Sequence, residues 1–135
     1  TVAVKDASLS TEMWTVEPAG FDDFARSLAS GKPERNERLS GSICDALMAE
    51  SPGELTLTIG KALMAGGVAV TDAEAAAAVR FAFEELKLVL EPGGAAGLAA
   101  ILTGKVPAKG RSVAVILSGG NADPARYARI INGEL

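Results

Sequence analysis

The polar groups of this chain best placed for chemistry lie near its end. An apolar run from Val113 to Leu117 delivers Ser118-Gly119-Gly120-Asn121 ahead of Asp123-Pro124. A hydroxyl and glycines at the carboxyl end of a buried strand, just before a helix start, are what open α/β sheets present to a ligand. The plainer reading is a strand-to-helix turn in which the glycines take positive φ and Asn121 caps the next helix. The chain has one cysteine, Cys44, and no histidine. That excludes a disulfide framework, the usual zinc sites, and Ser-His or Cys-His triads. With no base to accompany it, Cys44 reads as a small packed residue.

The elements that must position these groups follow from composition and pattern. Of 135 residues, 48% are hydrophobic and only 4% aromatic, which suits helices packed closely on a sheet and argues against an aromatic stacking platform. The net charge of −4, from 13 basic and 17 acidic residues, forms no basic stripe, so nucleic acid is not an expected partner. No apolar run is long enough to span a bilayer, so no membrane is expected either, and the composition suits a reducing, cytoplasmic setting. Thr1 to Asp6 resembles neither a signal peptide nor a start, and reads as the tail of a helix that begins outside the chain, as in a cut fragment.

Glu12 to Glu17 predicts a strand ended by Pro18 and Gly20, followed by a helix over 21–30 that Gly31 stops. Lys32 to Ser42 reads as a surface loop. A helix is expected over 52–65, with Pro52 near its first turn and Gly66-Gly67 as its stop, leading into a brief strand Val68 to Val70. Thr71-Asp-Ala-Glu74 is a capping box for an Ala-rich helix to about Leu86. After a short link over 87–90, Glu91-Pro92 opens a helix of small residues that suits burial and ends at Gly104. Arg111 to Leu117 is expected to be the core strand and 124–131 the last helix. Strands alternating with helices predict a mostly parallel sheet covered on both faces, although only three strands are visible.

Three motifs in order then carry a resemblance across nearly the whole chain. Glu17-Pro-Ala-Gly-Phe-Asp-Asp, Leu86-Lys-Leu-Val-Leu-Glu-Pro-Gly-Gly-Ala-Ala-Gly and Val113-Ala-Val-Ile-Leu-Ser-Gly-Gly-Asn together resemble the C-terminal part of threonine/serine dehydratases and serine racemases. These are pyridoxal-phosphate enzymes of the tryptophan-synthase-like fold. The resemblance implies an α/β fold: part of the large domain of a fold type II enzyme, a mostly parallel three-layer αβα sheet left incomplete in this chain. Residues 1–135 would be one unit, the C-terminal part of the cofactor-binding catalytic domain with its N-terminal half missing.

The same resemblance implies the site. Ser118 would set its hydroxyl against the pyridine nitrogen of pyridoxal phosphate, with Gly119 beside it. A neutral hydroxyl leaves that nitrogen largely unprotonated and favours elimination of a β-hydroxyl. Glu91 matches a glutamate near the cofactor ring, although a first-turn carboxylate for the following helix would account for it without any cofactor. Glu17, the carbonyl of Phe21, and Asp23 match a cation site suited to Mg²⁺ or Ca²⁺, against the alternative that Asp22 and Asp23 only stabilise a helix start. Phe21 stands where a small residue is usual. Ser42 to Leu47 lies where the family shows Ile-Ala-Asp-Gly, and here Ala46 replaces the glycine whose backbone is near the cofactor.

The Schiff-base lysine and the glycine-rich phosphate loop of the family lie earlier than this chain and are not found in it, so the chain alone is expected to be inactive. The implied activity is dehydration and deamination of threonine or serine, or alternatively serine racemisation or 3-hydroxyaspartate dehydration. The expected partners are the missing half of the enzyme, a small hydroxy amino acid and a second copy in a homodimer. A reading from another class is a non-catalytic α/β module binding a nucleotide or a partner chain at the same strand end.

Overall fold

The computed structural model describes all of residues 1–135. Helix α1 spans Val2–Ala7 and strand β1 Trp14–Pro18. They are followed by α2, Asp23–Ser30, a single 3-10 turn at Asp45–Leu47, and α3, Glu54–Leu63. Strand β2, Gly66–Val70, leads into α4, Asp72–Phe81, which widens into a π turn over Ala82–Leu86. Helices α5, Pro92–Leu102, and α6, Pro124–Ile131, complete the chain.

The sheet consists of β1 and β2 in parallel, registered from Trp14 opposite Gly66 to Pro18 opposite Val70. Side chains alternate across it. Thr15 and Gly67 face α2, where a Cβ on Gly67 would come within 2.6 Å of the Thr15 methyl and 2.7 Å of the Ala25 Cβ. Val16, Val68 and Val70 face the other way, into a core built from α4, α5 and Ile130 of α6. Helices therefore cover both faces of the pair, which is the layered α/β arrangement expected. Central to it is α5, with Gly94, Ala95, Ala96, Leu98, Ala99 and Ala100 all buried. Its side chains are too small to hold neighbours away, so backbones pack directly against it.

Several boundaries differ from the sequence reading, and each difference has a physical cause. Gly66 and Gly67 do not stop α3; they are the first residues of β2. A Cβ on Gly66 would meet the Trp14 ring at 2.9 Å, so the glycines serve close strand packing. Helix α3 starts at Glu54 rather than Pro52, with Gly53 at its N-cap, and α2 starts at Asp23 rather than Phe21. The capping box at Thr71 forms as expected, with Thr71 Oγ1 accepting from the Glu74 amide at 3.2 Å and the Glu74 carboxylate accepting from the Thr71 amide at 2.7 Å.

The largest correction concerns Arg111–Leu117. This segment forms no strand within the chain: it lies extended across α5 and joins no ladder. The burial expected of a core strand is only partial, with Val115 and Leu117 packed on the core while Val113 and Ile116 are exposed. A strand requires a neighbour for its amides and carbonyls, and none runs beside this segment.

Candidate functional site

The start of α5 gathers three segments that are far apart in sequence. Residue 119 has φ +77°, and its carbonyl accepts from the Glu91 amide at 2.7 Å. A Cβ on Gly119 would drive into the Glu91 side chain, and one on Gly94 would collide with the carbonyl oxygen of Ser118. From the other side, a Cβ on Gly93 would sit 3.6 Å from the Ala46 Cβ and 3.5 Å from Leu47 Cγ. The glycines of α5 thus form a floor on which the Ser118-Gly119 backbone and the Ala46 turn both rest. The structure brings Ser118, Gly119, Glu91 and Ala46 together.

The polar groups at this junction remain available. Glu91 is the N-cap residue of α5 by position, but its carboxylate accepts no hydrogen bond from the helix amides, so the capping role considered for it is not taken up. It lies half-buried against Gly119, while Ser118 and Ala46 are exposed. Asn121 does not cap the last helix either; Asp123 does, accepting from the Arg126 amide at 2.8 Å. An exposed hydroxyl and an uncommitted carboxylate thus lie together at the start of α5.

Glu17 and Asp23 meet at a second turn, between β1 and α2. Glu17 Oε1 accepts from the Phe24 amide at 3.0 Å and Oε2 from the Ala25 amide at 2.7 Å, supplying the cap that Asp22 does not make. Asp23 is 2% exposed and accepts from Asn36 Nδ2 at 2.6 Å, while Asn36 also donates to the Ala49 carbonyl at 2.8 Å. Burial pushes the Glu17 carboxyl up to about 7 against the pull of its two amide donors, and the neighbouring Asp23 and Asp22 charges push the same way. Phe21 is buried, under the Arg38 guanidinium at 5.8 Å from its ring centre. The donors are hard oxygens that suit Mg²⁺ or Ca²⁺ by type, and both Glu17 oxygens already serve the helix.

Cys44 is wholly buried and burial pushes its thiol up to about 11, which makes it inert packing. The sequence reading did not find the contacts that hold the 42–47 segment. Asp72 accepts from Ser42 and Ile43, and Arg126 pairs with Asp45 at 3.0 Å. Partners 30 and 81 positions apart leave no local signal.

A parallel strand pair layered by helices, with polar groups at the glycine-rich start of a buried helix, defines an α/β protein with a partial sheet. Residues 2–119 match the model of the family described as "Pyridoxal-phosphate dependent enzyme", and the chain belongs to that family. It is 36% identical over 131 residues to an L-threonine ammonia-lyase of Thermotoga maritima, covering 97% of this chain and 32% of the relative. A serine racemase of Dictyostelium discoideum is 33% identical over 134 residues, covering 97% of this chain and 41% of the relative. The solved structure of maize serine racemase superposes with a TM-score of 0.85 at 32% identity, over 99% of this chain and 43% of that one. The chain spans about a third to two fifths of the length of the curated relatives it matches.

Proposed function

We propose that the protein dehydrates and deaminates threonine or serine to a 2-oxo acid and ammonia, and that this chain supplies one wall of its pyridoxal-phosphate site. The observation that carries the reading is the convergence of Ser118-Gly119, Glu91 and Ala46 on the glycines of α5. Pyridoxal phosphate, when bound, supplies the electron withdrawal that makes the substrate α-carbon acidic. Ser118 would donate its hydroxyl to the ring nitrogen without charging it, with Gly119 beside it. Glu91, free of helix amides, would face the ring. The remainder of the family domain would supply the lysine, the phosphate loop and the strand that borders residues 112–117, and the whole would act in the cytoplasm as a homodimer. A divalent cation at Glu17, the Phe21 carbonyl and Asp23 belongs to the same reading, where it would offset three crowded carboxylates.

The test is the complete gene product purified with pyridoxal phosphate. It should absorb in the visible and release a 2-oxo acid from threonine or serine, and Ser118→Asp should lower that rate about tenfold or more by charging the ring nitrogen. Protein that stays colourless and releases no 2-oxo acid ends the proposal. Serine racemisation is the second reading, favoured by the similarity to two racemases; D-serine formed without 2-oxo acid would select it.

A further inference from the structure

The 42–47 segment is the least regular of those meeting at α5, yet it is firmly tied. The Ser42 hydroxyl donates to Asp72 Oδ1 at 2.6 Å and the Ile43 amide donates to Asp72 Oδ2 at 3.2 Å. The Cys44 amide donates back to Ser42 Oγ at 3.0 Å, and the Leu47 amide donates to the Cys44 carbonyl at 2.9 Å, closing the turn that presents Ala46. On its outer side the turn has only the Arg126–Asp45 pair, largely exposed and therefore weak.

Asp72 is the first residue of α4, where a carboxylate would ordinarily be explained by the helix dipole. That explanation is insufficient here. The start of α4 already has its own reciprocal cap from Thr71 and Glu74, and both Asp72 oxygens are turned to the 42–43 backbone and hydroxyl instead.

We propose that Asp72 and Ser42 are positioning residues, forming a latch from the start of α4 that fixes the Ala46 turn against Gly93 and so sets one side of the ligand site. The inference rests on the cofactor-site reading above and adds what holds that side in place. Ser42 is the discriminating residue, because removing its hydroxyl leaves the α4 capping box and the Asp72 charge untouched.

The experiment compares the wild-type complete gene product with Ser42→Ala, Ser42→Thr and Asp72→Asn. Amide hydrogen exchange over 43–47 and the pyridoxal-phosphate dissociation constant by equilibrium dialysis are the two readouts. Ser42→Ala should speed exchange at 43–47 while leaving α4 unchanged, and should weaken cofactor binding about five- to hundredfold, the size of the two hydrogen bonds lost, one to Asp72 and one from the Cys44 amide. Ser42→Thr should restore both. Asp72→Asn, which keeps one acceptor, should fall between. Unchanged exchange at 43–47 in Ser42→Ala overturns the latch, and faster exchange with an unchanged dissociation constant overturns its bearing on the site. A wild-type protein that binds no pyridoxal phosphate defeats the cofactor reading and the positioning role with it, while the exchange comparison separately decides whether the latch exists.

Discussion

Glu17 does a structural job with a charge that its surroundings resist. It caps α2 through two amides, yet it is 9% exposed and stands beside Asp22 and Asp23, so its carboxyl rises from 4.5 to about 7. The folded state therefore holds a proton on Glu17 between those pH values that the unfolded state has released. Stability from this group is retained below about 4.5, declines as pH rises through the window, and stays lowered above about 7. The whole effect is bounded at roughly 3 kcal/mol. Thermal melts across this range should show wild type losing stability with rising pH relative to Glu17→Gln, which carries no titrating group. If Mg²⁺ or Ca²⁺ binds there, millimolar cation should remove the slope in wild type and leave the variant unmoved. Parallel pH profiles for the two proteins would refute the raised carboxyl.

At the scale of elements, the fold turns on how closely backbones approach α5. Alanine in place of glycine inside a helix ordinarily stabilises by up to about 1 kcal/mol. At Gly94 the sign reverses, because the new Cβ would collide with the Ser118 carbonyl, which is backbone and cannot swing aside. Gly94→Ala should cost about 2–4 kcal/mol in urea unfolding and displace residues 118–119 from the helix. A neutral or stabilising effect would mean that the segment does not rest there. These contacts also explain what the sequence disclosed. The Thr71–Glu74 cap and the helix it starts were legible because every group involved lies within four residues. The two polar members of the site, Ser118 and Glu91, were legible as motifs, but their meeting at α5 was not. Gly66 and Gly67 read as a helix stop because the Trp14 ring and Ala25 that require them are distant in sequence. Asp72 read only as part of a capping box for the same reason.

For the whole molecule, the decisive feature is a strand pattern without a strand. Residues 113–117 form an apolar run with Val115 and Leu117 inward and Ile116 85% exposed, yet β1 and β2 are the only paired strands. An apolar run is a property of one segment, whereas pairing needs a second, so the run was readable and its pairing was not. An extended apolar edge with unpaired amides is a template for another chain. In the isolated 135-residue chain, amides 112–117 should exchange nearly as fast as in unstructured peptide while those of β1 and β2 are protected. The chain should also self-associate with rising concentration. Ile116→Lys should suppress that association in sedimentation while changing stability by less than about 0.5 kcal/mol, since the side chain touches little of the core. In the complete gene product the same amides should become protected, because the proposed remainder of the family domain lays a strand along them. Equal exchange in the two proteins would show that this edge stays open, and the wall carrying Ser118 would then end at solvent rather than continue into a sheet.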